Sequence, residues 1–117
     1  MIRVTVSRDD SDRIRSVTMT GHAESGPYGY DLVCAGASAV SFGAVNAMAS
    51  LCHTDPVVDL GQEGGYFQCV LPEESTEEDK RQMQLLAEGM IISLETIADQ
   101  YGEFISIEEH RLSLIHI

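Results

Sequence analysis

Residues 21–38, GHAESGPYGYDLVCAGAS, carry the change from strand to helix on which the fold turns. His22 opens the stretch and Cys34 stands twelve positions on, with Gly26, Pro27 and Gly29 between them. Asp31 precedes an apolar run, which marks it as an N-cap and the start of a helix. That start puts Cys34 in the first helical turn, where backbone N–H groups are free and the helix dipole favours a thiolate. The glycine-containing loop is long enough to bring His22 back to the sulfur, and such a pair makes an activated nucleophile. Many chains hold a His and a Cys this far apart, so spacing alone does not settle the matter.

Working outward, IRVTVS at 2–7 and RIRSVTMTG at 13–21 alternate apolar and polar residues and predict two strands of a hairpin. The second delivers His22 at its end. Tyr28 and Tyr30 beside the glycines suit a loop that closes over a bound peptide, or a plain connection. From Asp31 a helix runs to about Cys52, with Leu32, Val33, Val40, Val45, Met48 and Leu51 as apolar cover. Ala35, Gly36, Ala37, Ala39 and Gly43 keep its first half thin, and each glycine costs about 1 kcal/mol against alanine, so close packing is expected there. Ser38, one turn beyond Cys34, shares its face. Its hydroxyl either bonds near the sulfur or back to a helical carbonyl.

HTDP at 53–56 ends that helix, and strands at 57–61 and 65–71 follow, joined through Gly64 and Gly65. A second helix begins at a capping box of Ser75 and Glu78, with Glu77, Glu78 and Asp79 on its positive end. Met83, Leu86, Met90, Leu94 and Ile97 keep helical spacing as core residues, and Gly102 stands where a left-handed cap is wanted. EFISIEE at 103–109 is the last strand. The order β-β-α-β-β-α-β predicts an α/β (α+β) two-layer sandwich, a mixed sheet with both helices on one face. One domain spans 1–110, and RLSLIHI at 111–117 is a tail. The tail reads as an edge strand, a partner contact or a non-native end, since LSLIHI resembles a translated sequencing-adapter end, and His116 is given no role.

The 117 residues suffice for one hydrophobic core. Cys34, Cys52 and Cys69 are an odd number without a CxxC pair, which argues against a disulfide framework and against structural zinc. No metal and no cofactor is expected. Cys69 reads as a small core residue, and Cys52 lies at a helix end whose dipole opposes a thiolate. The net charge of −12 is uneven: residues 1–33 carry four arginines against five acids, residues 34–117 three basic groups against fourteen acids. Such a surface repels nucleic acid and attracts a basic peptide. No apolar run is expected to reach the ~20 residues of a membrane span. The N-terminus lacks the apolar block of a signal peptide, so a cytoplasmic location is expected.

GHA at 21–23 and GYDLVCAGAS at 29–38 resemble the signature of the ribosomal-processing cysteine proteases, the Prp family. The resemblance implies a homodimeric cytoplasmic endopeptidase that removes the N-terminal extension of large-subunit ribosomal protein twenty-seven. It implies His22 as general base and Cys34 as nucleophile, with Gly21, Asp31 and Ser38 in support. Asp31 either orients His22 or only caps the helix. A non-enzymatic ribosome-associated module, gripping basic ribosomal tails with its acidic face, is the alternative. It would bind without Cys34 and leave no new N-terminus on its partner. A thiol redox sensor would need a resolving cysteine near Cys34.

Overall fold

A computed structural model of the chain describes residues 1–21, 27–62 and 64–111, with the backbone alone for 27–31. The alternating segments form strands β1 (Ile2–Arg8), β2 (Ile14–Thr20), β3 (Val57–Asp59), β4 (Tyr66–Val70) and β5 (Ile105–Arg111). The helices are α1 (Pro27–Leu51) and α2 (Glu77–Gln100). The sheet order is β3-β4-β2-β1-β5, with β5 parallel to β1 and every other pair antiparallel. Period two does the sorting. Val4 faces Met19 and Val6 faces Val17, while Met19 and Val17 pair onward with Phe67 and Cys69. All six are buried, as is Ile2 opposite Ile105. Thr5, Ser7, Thr18 and Gln68 point the other way and stay half-exposed. One sheet face is therefore core, and the two helices cover it.

The β1–β2 turn is held by Asp9, whose Oδ1 accepts from the Ser11 and Arg13 N–H groups, with Asp12 at φ 66°. Gln84 of α2 clamps the sheet: its Oε1 accepts from Ile14 N at 2.8 Å and its Nε2 donates to Ile14 O at 2.7 Å. Gln84→Ala would leave both backbone groups without those partners beside a fully buried side chain, an expected loss of about 2 kcal/mol. An unchanged urea midpoint would contradict it. Arg8, only 9% exposed, donates to Glu88 at 2.7 and 2.9 Å, to Glu109 at 3.1 Å and to the Asp12 carbonyl. The Glu88 hydrogen bonds outweigh burial and hold its pKa above the usual arginine range. This cluster ties β1, α2 and β5 together at the sheet end remote from Gly21.

Four expectations need correction. Helix α1 starts at Pro27, four residues before Asp31, so Asp31 lies inside the helix and does not cap it. Proline suits a first helical position, because its fixed φ is helical and its missing N–H is not needed there. Helix α2 is capped by Thr76, whose hydroxyl accepts from Asp79 N at 3.1 Å, and not by Ser75. Its last turn closes with Tyr101 N–H on the Ile97 carbonyl, and Gly102 is not among the positive-φ glycines. Finally, Leu32–Leu51 is long and apolar enough, by length and composition, to cross a membrane. Its alanines, glycines and serines disguise a run without a single charged residue.

Candidate active site

The sheet end opposite the Arg8 cluster holds the cavity that matters. About 340 Å³ lies between the strand ends and the first half of α1, within the usual range for ligand clefts. Cys34, Ala37, Ser38 and Phe42 line it from α1. Met19 closes it from β2, Gly21 from just past β2, Ile2 from β1, and Leu60, Gly64, Gly65, Tyr66 and Phe67 from the β3–β4 hairpin. The wall is mainly apolar, with a half-buried thiol set in it. Ser38 sits beside that thiol on the same helix face, as its four-residue spacing requires.

The wall residues are fixed from behind. Ser41, fully buried, donates its hydroxyl to Met19 Sδ at 3.5 Å and so ties α1 to β2 beneath the cavity. Phe42 meets Phe67 edge-to-face, centroids 5.5 Å apart. Gly21 N–H donates to the Gly65 carbonyl at 2.9 Å, which pins the end of β2 to the hairpin turn. Gly21 has φ +91°, and a Cβ built on it would stand 2.4 Å from the Met1 carbonyl oxygen. Only glycine fits there.

Of the residues singled out from sequence, Cys34, Ser38 and Gly21 share this cavity. His22, the next residue after Gly21, lies outside the described residues, as do the 22–26 part of the loop and the tail beyond Arg111. The Asp31 side chain and those of Tyr28 and Tyr30 are likewise outside them. Cys34 is the eighth residue of α1 and not a first-turn residue. Its N–H therefore falls within the helical hydrogen-bond ladder, and the dipole effect, confined to the first turn, is weak at its position. Met19, Phe42, Leu60 and Phe67 escaped the sequence reading because cavity walls assembled from three strands, a hairpin turn and a helix have no local signature.

The other thiols sit differently. Cys69 is fully buried, and burial pushes its pKa up to about 11. Burial first, and the Asp79 carboxylate second, push Cys52 up as well. Both thiols are thus held protonated. Asp79 is itself buried, which alone would raise its pKa, yet the His53 N–H, the His53 ring at 3.2 Å and Thr76 together hold it below the usual value. A depressed carboxyl stabilises the fold above its unfolded pKa of about 4, and that contribution is lost as pH falls below it. Asp79→Asn should flatten the acid limb of the melting-temperature profile, whereas an unaltered limb would contradict this. Among the described residues, no group of three or more His, Cys, Asp or Glu side chains could hold a metal ion.

Fold and cavity together define an α+β domain that sets a free thiol in the wall of an apolar cleft. The family model of the cysteine protease Prp matches residues 1–106, so the chain belongs to the Prp cysteine protease family and is a cysteine-type peptidase. The Bacillus subtilis ribosomal processing cysteine protease Prp is 48% identical over 103 residues, 88% of this chain and 92% of that one. The Staphylococcus aureus protease of the same name is 39% identical over 107 residues, 92% of this chain and 97% of that one. A crystal structure of the S. aureus protease with a covalently linked product peptide superposes with TM-score 0.82 at 38% identity, over 94% of this chain and all of that one. A Streptococcus mutans protein gives 0.83 at 32% identity, over 96% of both chains.

Proposed function

We propose that this peptidase removes the N-terminal extension of large-subunit ribosomal protein twenty-seven, with Cys34 as nucleophile and His22 as general base. One observation carries the reading: Cys34 and Gly21 line the same cavity, and the residue that follows Gly21 is His22. The imidazole of His22 is assigned the role of base on its place in the sequence, directly after a residue that lines the cavity. With the dipole weak at Cys34, activation of the thiol falls to that imidazole.

In this reading His22 takes the Cys34 proton and the thiolate attacks the scissile carbonyl carbon. Collapse of the tetrahedral species breaks the C–N bond, and the imidazolium gives its proton to the leaving amine. Water then hydrolyses the thioester. The Cys34 N–H falls within the helical ladder, and the oxyanion is assigned to the Ser38 hydroxyl and the Gly64–Gly65 backbone, both on the cavity wall. One such donor is commonly worth about 3 kcal/mol. The apolar wall of Met19, Phe42, Leu60 and Phe67 suits a large apolar side chain next to the scissile bond. The net charge of −12 favours a basic ribosomal peptide and disfavours nucleic acid. No metal or cofactor enters the reaction, and the location proposed is cytoplasmic.

A homodimer is part of the proposal. The outward face of α1 presents Leu32, Ala35, Ala39, Gly43 and Asn46, all exposed and none charged, and within Leu32–Leu51 only Val33, Ala37, Ser41 and Met48 are buried. We assign that face to a second copy of the chain and not to a membrane. Sedimentation velocity should show a dimer that Asn46→Glu dissociates, and a monomeric wild type at micromolar concentration would contradict it. The chemistry is tested with a peptide aldehyde carrying the extension sequence. It should form an adduct at Cys34, and an adduct mapped to Cys52 or Cys69 would overturn the assignment. His22→Ala should lower kcat by about 10²–10⁴.

A further inference from the structure

The two edges of the sheet are treated in opposite ways. The outer strand β5 carries Glu108, Glu109, His110 and Arg111 in its exposed half, and charges of this kind discourage strand pairing. The other outer strand, β3, pairs with β4 alone among the described strands. All three of its residues are exposed, Val57 at 63% and Val58 at 36%. Short as it is, a strand edge whose backbone pairs on one side only among the described strands is a template for an added strand, and its two valines present apolar side chains there.

That edge leads into the cavity. Leu60 follows β3 directly, is 46% exposed, and lines the cavity with Cys34. Asp59 Oδ1 accepts from Gly61 N at 2.9 Å, and Gly61 has φ +68°, so the chain turns just past Leu60. Pro56, which has no N–H to offer, sets the far limit of any ladder. Acidic residues flank the two valines in sequence, Asp55 on one side and Asp59 on the other. The occupant this favours is an extended, basic peptide.

We propose that the substrate peptide leaves the Cys34 cavity past Leu60 and adds as a sixth strand to the free edge of β3. The inference rests on the reading of Cys34 as the site of cleavage and deepens it. The cavity selects the residue at the scissile bond, while β3 binds the backbone of the flanking segment, whatever its side chains. Strand addition leaves a period-two mark, because only alternate amides of the added chain face the sheet.

The test is a scan of synthetic peptides spanning the extension of ribosomal protein twenty-seven, each with one N-methylated amide, titrated against Cys34→Ala protein by fluorescence anisotropy. Methylation at alternate positions on one side of the scissile bond should raise Kd about five-fold, and the positions between should stay within about two-fold. Val57→Lys, at an exposed site, should weaken binding of the full basic peptide and leave unchanged a short peptide that fills only the cavity. A flat scan overturns the inference, and so does an alternating scan indifferent to Val57→Lys, which would place the added strand elsewhere. Should the wild type still cleave these peptides, the cleavage reading survives either failure. If the peptides neither bind nor are cleaved, both fall.

Discussion

Cys34→Ala protein should cleave extended ribosomal protein twenty-seven at less than about 10⁻⁴ of the wild-type rate while folding normally. The size follows from covalent catalysis: without the sulfur no thioester forms, and only binding and oxyanion stabilisation remain. The fold should tolerate the change, because Cys34 is half-buried at a cavity wall and its loss opens no sealed void. Stability is expected to fall by less than about 1 kcal/mol. Cys52→Ala and Cys69→Ala make the contrast. Both thiols are buried and held protonated, so these variants should lose stability and keep activity per folded molecule. A Cys34→Ala protein that still cleaves at a tenth of the wild-type rate would move the chemistry to another residue.

Gly21→Ala is expected to damage stability and activity together. The new Cβ would lie 2.4 Å from the Met1 carbonyl oxygen, a backbone atom that cannot swing aside as a side-chain tip can. The φ of +91° adds strain that only glycine escapes. A loss of about 3 kcal/mol or more follows. Relief requires the end of β2 to leave Gly65, breaking the 2.9 Å bond that holds the strand end beside the cavity. Since the chain continues from there into His22, kcat should fall at least about ten-fold even at temperatures where the variant is folded. A Gly21→Ala protein with wild-type melting temperature and kcat would show that the strand end does not position the base.

The sheet was legible because period-two alternation is a local signal, and Val4, Val6, Val17, Met19, Phe67 and Cys69 all carry it on one buried face. The start of α1 was not. Gly26, Pro27 and Gly29 read as loop residues, yet a proline can open a helix as readily as interrupt one, and Asp31 offered a competing cap. Ser75 and Thr76 are adjacent and chemically alike, so the capping residue was open to a one-position error. Nothing along the chain announces that Arg8 reaches Glu88 and Glu109, or that Gln84 clamps Ile14, because those partners are 70 to 101 residues apart. Cys34 and Ser38 were legible from motif and spacing. The apolar wall around them depends on which strand ends meet, and that is a property of topology alone.

Whether this protein shortens its substrate is answered directly by intact-mass spectrometry of extended ribosomal protein twenty-seven incubated with the wild-type chain. The expected result is one lighter species with a single new N-terminus, absent when Cys34→Ala protein is used. A substrate that keeps its full mass in the presence of folded wild-type protein would contradict the account.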